Sequence, residues 1–230
     1  MMFRLLLALL AWVSFASSTA WAEGPSRVIV SVRDQKLMLM ANGAKLATYP
    51  VSTSKFGLGD NWGRMTTPLG ILQVAQKIGD HAPVGAVFHN RRFTGEIIKP
   101  NAPGRDPVIT RIIWLRGLQA SNAHAFSRCI YIHGTPEEKL IGRPASYGCI
   151  RMKSRDVAAL YAQVPLGAIV EIVPDKLPRV PTAPRGTVFT VEAPKPPEKV
   201  EMPTDEEKAS ERNARKSVDV EEEPHFGRGA

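Results

Sequence analysis

The segment from Arg27 to Ser52 permits little besides an antiparallel β meander. Val28, Val30 and Val32 alternate with Ile29, Ser31 and Arg33, a period of two that places three valines on one face of a strand. Asp34-Gln35 turns the chain and Leu37 to Met40 returns it. Asn42-Gly43 is a two-residue hairpin signal, because both positions accept positive φ, and Lys45 to Ser52 then supplies a third strand. Further short apolar runs follow at Ile71 to Ile78, Ile109 to Leu115, Cys129 to Ile132 and Ala168 to Val173. Gly57, Gly59 and Gly63 make Ser54 to Arg64 a loop. One helical pattern stands out, Arg155 to Gln163, with Val157, Leu160 and Tyr161 as its apolar stripe, Ser154 as N-cap, and Pro165 and Gly167 as the stop. The fold expected is one mainly β domain of about 150 residues with sandwich-like sheet packing and one short helix, a size that supports a single core.

The two ends differ from this middle. Met1-Met2-Phe3-Arg4, the apolar run Leu5 to Ala16 and the Ala20-Trp21-Ala22 ending have the form of a secretory signal peptide, with cleavage expected after Ala22 and export to the periplasm. The run is short for a membrane span, so no stable span is expected once it is removed. The folded domain is expected over residues 23–174. Beyond Pro174, prolines alternate with polar and charged residues, a composition that buries too little surface to offset chain ordering, so residues 175–230 read as a disordered tail.

Charge narrows the partners. Of the net +8, Arg4 contributes one, and the residues after Pro174 subtract two, with ten Lys and Arg against twelve Asp and Glu; the middle segment therefore carries about +9. A basic exported domain suits an anionic polymer such as the cell wall. Nucleic acid is the competing partner for a basic protein, but the export signal argues against it and no nucleic-acid-binding motif is present.

The chemistry concentrates between Ile130 and Met152. The strand ending at His133 is followed, after a loop, by Ser146-Tyr147-Gly148-Cys149-Ile150-Arg151-Met152. A thiol beside a histidine is a nucleophile with its own base and acid. Gly148 permits a tight turn that aims the amides of Gly148 and Cys149 at one point as an oxyanion hole. Tyr131 shares the strand face of His133 and lines the cleft or packs in the core, and the carbonyl of Gly134 is the expected orienter of the imidazole. Glu137 and Glu138 read as a solvated turn. Arg151 either holds the site together or binds a substrate carboxylate through its planar fork. With two cysteines, no disulfide framework carries the fold. Cys129 is expected to pack on the face of His133, and a bond to Cys149 that would silence the site stays open. The Gly- and Pro-rich excursion from Gly79 to Pro107 is placed to cap the cleft. His81, His89 and His124 lack the company of a metal site, and His124 reads as solvated.

His133-Gly134-Thr135, followed by Ser146-x-Gly148-Cys149-Ile150-Arg151-Met152, resembles the signature of the L,D-transpeptidase (YkuD-type) catalytic domain. Two further elements in the same order are similar to that family, Tyr49-Pro50-Val51-Ser52-Thr53 and Thr67-Pro68-Leu69-Gly70. The resemblance implies an L,D-transpeptidase-like β-sandwich, His133 as base and Cys149 as nucleophile, with Ser146, Gly148, Arg151 and Tyr131 around the oxyanion and substrate. The family usually has histidine where this chain has Tyr147; that neighbour is not the base, so the change is expected to tune the site. The implied reaction acts on peptidoglycan tetrapeptide stems, releases D-alanine through a cysteine thioester and forms 3→3 cross-links, with no metal or organic cofactor. Water as acceptor would make an L,D-carboxypeptidase, and a lysine of an outer-membrane lipoprotein an anchoring enzyme. A wall-binding module without turnover is the alternative from another class, with a general thiol protease a distant third.

Overall fold

A computed structural model of the protein describes residues 26–184. The signal-like segment and the residues after 184 lie outside the described residues. Ten strands and one α-helix follow in chain order: β1 (Arg27–Ser31), β2 (Lys36–Ala41), β3 (Ala44–Ser52), β4 (Gly70–Ile78), β5 (Ala86–His89), β6 (Arg92–Ile97), β7 (Val108–Gly117), β8 (Tyr131–Gly134), β9 (Ile150–Met152), α1 (Ser154–Gln163) and β10 (Ile169–Val173). The fold is mainly β with one helix, as the sequence implies.

The meander β1-β2-β3 is antiparallel, and Asn42 and Gly43 turn it with φ of 51° and 73°. The sheet runs β4-β10-β1-β2-β3-β9-β8-β7-β5-β6, and β4 also pairs with β7. That extra pairing closes eight of the strands into a ring, which removes the open edge of β4 and gives the sandwich a continuous wall. Inside the ring, alternate residues meet in one cluster: Val28 and Val30 from β1, Leu37 and Leu39 from β2, Leu72 and Val74 from β4, Ile113 and Leu115 from β7, Ile132 from β8 and Ile150 from β9. Val157, Leu160 and Tyr161 of α1 join the same cluster, so the helix stripe packs against the strands.

A second, smaller cluster lies on the other face of β7 and β8, built from Ala86, Phe88, Ile112, Trp114 and Tyr131. It is covered by a hairpin, β5-β6, inside the excursion from Gly79 to Pro107. The sequence gives no dipeptide signal for that hairpin, because its turn is Asn90-Arg91, with both residues at positive φ.

Four expectations change. Helix α1 begins at Ser154 with Lys153 as N-cap, and the free N–H of Ser154 is met by the carboxylate of Glu138 at 2.8 Å. Glu138 is therefore a helix cap, not a solvated residue. Strand β8 begins at Tyr131; Cys129 lies before it in a turn at φ 58°, off the strand face of His133. The ordered chain also runs past Pro174. Ser31 Oγ donates to the carbonyl of Asp175 at 2.5 Å, Leu177 N–H to Asp34 at 2.9 Å, and Lys45 exchanges backbone bonds with Pro181 and Ala183 at 2.8 and 2.9 Å. The first ten residues of the expected tail therefore belong to the fold, tied to the β1-β2 turn and the start of β3.

Candidate active site

Two adjacent parallel strands set the geometry. Strands β8 and β9 pair Ile132 with Ile150, His133 with Arg151 and Gly134 with Met152. Ile132, Ile150 and Met152 point into the ring, so the alternation of a strand turns Tyr131, His133 and Arg151 to the opposite face. Cys149, two residues before Arg151, comes to the same face and borders the smaller cluster beside Tyr131. His133 and Cys149 thus share one face of neighbouring strands, on the diagonal across the ladder.

The strand end at His133 is bent by its other neighbour. Strand β7 pairs Ile112 with His133 but Ile109 with Gly134, so Thr110 and Arg111 form a bulge beside the site. Thr110 is held at φ 72°, an outlying conformation for a β-branched residue, and is buried. Only glycine fits opposite it, since a Cβ on Gly134 would lie 2.7 Å from the carbonyl oxygen of Ile109. The Gly134 carbonyl lies 2.7 Å from Nδ1 of His133. His133 is 6% exposed. Its pKa falls from the ordinary 6.5 to about 4, chiefly through burial, with the Gly134 carbonyl opposing and the Arg151 charge adding to the fall. The imidazole is therefore neutral near pH 7, Nδ1–H donates to the carbonyl, and Nε2 keeps the basic lone pair.

Cys149 retains partial access to solvent. Its sulfur accepts the Tyr131 N–H at 3.4 Å, and its S–H donates to the Cys129 carbonyl at 3.3 Å. Burial pushes the thiol from the ordinary 9.0 up to about 11; the Tyr131 N–H pulls it down, Cys129 pushes it up, and the charges of Arg151 and Arg128 pull it down. The resting pair is thus a neutral thiol and a neutral imidazole, not a thiolate and an imidazolium. Cys129 is also a free, partly buried thiol on the edge of the smaller cluster.

The turn before Cys149 is clamped from within. Ser146 is buried, its hydroxyl donates to the Cys149 carbonyl at 2.6 Å, and it accepts the Gly148 N–H at 3.2 Å. One of the two amides expected to face an oxyanion is therefore spent on Ser146. Among the described residues the Cys149 N–H has no hydrogen-bond partner outside the strand ladders. Gly148 sits at φ 120°, and a Cβ there would lie 3.2 Å from the Thr66 carbonyl oxygen. Its own carbonyl accepts the Thr67 hydroxyl at 3.0 Å, which ties the Thr67-Pro68-Leu69-Gly70 element to the turn before Cys149.

Arg151 is 3% exposed and fully engaged. It reaches Asp106 at 2.6 Å, Glu137 at 2.8 Å and the Ala145 carbonyl at 2.6 Å. This is the structural branch of its two expected roles: its fork joins the excursion, the loop after β8 and the turn before Cys149. Glu137 is thus an ion-pair partner, not a solvated turn residue. Asp106, which also accepts the Thr135 hydroxyl, was not singled out by sequence, because an ion pair between remote positions leaves no local pattern. The same holds for Arg128 and Asp60, paired at 2.7 Å with both side chains 5% exposed. Arg128 also donates to the carbonyls of Arg64 and Thr66 at 2.7 and 2.8 Å, pinning the 59–66 loop beside Gly148. His124 packs by its N–H and ring on Asp60 and, tilted, on Trp62, while staying half exposed.

A cavity of about 520 Å³ opens along that loop, lined by Phe56, Leu58, Gly59, Asn61, Gly63, Arg64, Met65 and Thr66. Phe56 meets Tyr147 at 5.6 Å between ring centroids, and Lys55 lies 3.1 Å from the Tyr147 hydroxyl. Tyr147 is 56% exposed and joins this apolar wall to the residues next to Cys149. Among the described residues no group of three or more His, Cys, Asp or Glu is gathered as for a metal ion.

The family model described as the L,D-transpeptidase catalytic domain, YkuD, matches residues 25–172. The chain belongs to that family. The match begins just before β1 and ends within β10, so it spans the closed ring and the site together. A putative L,D-transpeptidase YkuD of Bacillus licheniformis is 51% identical over 43 residues, which are 19% of this chain and 26% of that one. Among solved structures, an L,D-transpeptidase from Mycobacterium smegmatis is 18% identical, with a TM-score of 0.41, over 65% of this chain and 59% of the other. One from Xylanimonas cellulosilytica is 18% identical, with a TM-score of 0.42, over 66% and 62%. The chain thus spans about a quarter of the curated relative and about three-fifths of these solved chains.

Proposed function

We propose that the protein is an exported cysteine L,D-transpeptidase acting on peptidoglycan tetrapeptide stems. The observation that carries this reading is the placement of His133 and Cys149 on one face of paired strands, with Nδ1 of His133 held by the Gly134 carbonyl so that Nε2 is the base. In the first half-reaction the thiol of Cys149 gives its proton to Nε2 as the sulfur attacks the carbonyl joining the third residue, meso-diaminopimelate, to the terminal D-alanine. The Cys149 N–H meets the oxygen that becomes negative. The C–N bond then breaks, His133 returns the proton to the amine of D-alanine, and a thioester on Cys149 remains. In the second half-reaction the side-chain amine of another stem loses a proton to His133 and attacks the thioester, which frees the thiol and leaves a 3→3 cross-link.

The shifts of both groups fit this sequence. A thiol near 11 and an imidazole near 4 stay neutral in a buried site until the substrate arrives, and the proton moves between them only as charge develops on the substrate. The S–H must leave the Cys129 carbonyl before its proton passes to His133. Gly148, Ser146 and Arg151 act as positioning residues that hold the turn, and Tyr131 supplies the N–H that steadies the sulfur.

Incubation of the purified protein with tetrapeptide muropeptides, followed by mass spectrometry, tests the reading. Cross-linked dimers with released D-alanine are expected, and Cys149→Ala is expected to abolish them while leaving binding to isolated wall intact. Trimmed tripeptides alone would make the acceptor water. Lipoprotein-derived peptides on the wall, lost on deletion of the gene, would make it a lipoprotein lysine. Turnover retained by Cys149→Ala would refute the assignment.

A further inference from the structure

The outer face of β7 and β8 carries an aromatic stack that the chemistry above does not use. Trp114 and Phe126 lie ring on ring, with centroids 4.1 Å apart and planes within 10°, and Tyr131 meets Trp114 edge-on at 5.5 Å. A guanidinium lies over each stacked ring, Arg91 over Trp114 at 4.8 Å and Arg116 over Phe126 at 4.9 Å. Trp114 is fixed in this pose by its indole N–H, which donates to the Phe126 carbonyl at 3.0 Å.

Arg91 occupies an unusual place. It sits at the tip of the β5-β6 hairpin at φ 65°, next to Asn90 at φ 47°. An L-residue with a long side chain is strained in that region, where glycine would sit without penalty. The turn therefore spends conformational energy to present an arginine. What that arginine touches is weak for a cation: the Tyr131 hydroxyl at 3.5 Å, the Cys129 sulfur at 3.8 Å and the Trp114 face. Arg27, Arg105, Arg128 and Arg151 each meet a carboxylate, whereas no carboxylate among the described residues lies within ion-pair distance of Arg91. It remains solvent-exposed. Its neighbour Tyr131 is the residue whose N–H holds the Cys149 sulfur. A guanidinium stacked on an aromatic ring keeps its plane fixed and its N–H edge free, which is the geometry that grips a carboxylate with two parallel bonds.

We propose that Arg91 anchors a carboxylate of the acyl-donor peptide beside Cys149. The assignment of the carboxylate to a stem peptide rests on the function proposed above. Two carboxylates of such a stem lie close to the attacked carbonyl, that of the departing terminal residue and that on the side chain of the diamino acid. Either matches the chemistry of an exposed guanidinium that touches Tyr131 and Cys129, the two residues whose backbone N–H and carbonyl hold the Cys149 thiol. Bound there, the donor is oriented before the thiol moves, so the contact belongs to substrate binding more than to the bond-breaking step.

Two measurements test the anchor independently. The first needs no turnover: the rate at which iodoacetate alkylates Cys149, divided by the rate for the uncharged iodoacetamide, with the adduct located by peptide mass spectrometry. The ratio cancels changes in thiol acidity. Arg91→Gln is expected to lower it by about fivefold, Arg91→Lys to keep most of it, and Arg116→Gln, a cation over the other stacked ring, to change it by less than about twofold. An unchanged ratio in Arg91→Gln, or an equal fall in Arg116→Gln, overturns the proposal. The second uses tetrapeptide stems amidated at one carboxylate or the other. Arg91→Gln is expected to raise KM about tenfold with kcat within about threefold. One amidated stem should show the same loss with the unmodified protein and no further loss with Arg91→Gln, which names the carboxylate; if neither amidation matters, the anchor is refuted. If no stem is turned over while the alkylation ratio still depends on Arg91, the proposed function falls and the anion site stands.

Discussion

His133 shows what burial does to a single side chain at this site. Its folded pKa near 4 lies below the ordinary 6.5, so the unfolded chain binds the proton more readily. The stability it contributes is whole above pH 6.5 and is lost as pH falls toward 4, by roughly 3 kcal/mol at most. Cys149 works on the other side: its folded value near 11 lies above 9.0, so its contribution is whole below pH 9 and is lost as pH rises toward 11. Urea midpoints are therefore expected to be flat between about pH 6.5 and 9 and to fall outside that window. His133→Gln should flatten the acid limb; an acid limb equally steep in that variant would contradict the assignment. Both residues were conspicuous in the sequence because they belong to one short motif. Asp106, Asp60 and Arg128 were not, since each acts through a partner that only folding brings near.

Among elements, the site depends on how β8 and β9 are held more than on their own few residues. The bulge in β7 at Thr110 bends the ladder next to His133, and Ser146 ties down the turn that leads into β9. The helix is held by the loop between them, through Glu138 on the Ser154 N–H. Glu138→Ala is expected to lower stability by about 1 kcal/mol, and Glu138→Gln by less, because an amide oxygen still accepts the bond without its charge facing the helix dipole. Thermal unfolding of the two variants checks the order; equal and negligible shifts would mean that the cap contributes nothing. The strands with clean alternation or an Asn-Gly turn were readable from sequence. The β5-β6 hairpin was not, because its turn contains an arginine at positive φ and β6 is exposed throughout, so neither turn chemistry nor an apolar pattern marks it.

At the scale of the molecule, pairing of β4 with β7 converts a meander with crossovers into a closed wall around one core, and the site sits on the outside of that wall. No periodicity in the chain announces closure, since it joins strands whose sequences are separated by the whole excursion. The backbone bonds of Pro181 and Ala183 to Lys45 were equally hidden, for they lie in a proline-rich stretch that reads as unstructured. The charge of the middle segment, about +9, makes a prediction of its own. Binding to isolated anionic wall should weaken steadily as salt rises from about 50 to 500 mM, in step with a shrinking Debye length. Co-sedimentation indifferent to salt would remove the electrostatic account of partner choice.

The central claim, that Cys149 forms a thioester while His133 moves the proton, is tested most directly by the mass of the intact protein after rapid mixing with a tetrapeptide donor in the absence of an acceptor. The account predicts a gain equal to the donor less D-alanine and less no other group, localised to Cys149, removed by hydroxylamine, absent in Cys149→Ala and much slower to form in His133→Gln. An adduct on any other residue, or release of D-alanine at an undiminished rate from Cys149→Ala, would contradict it.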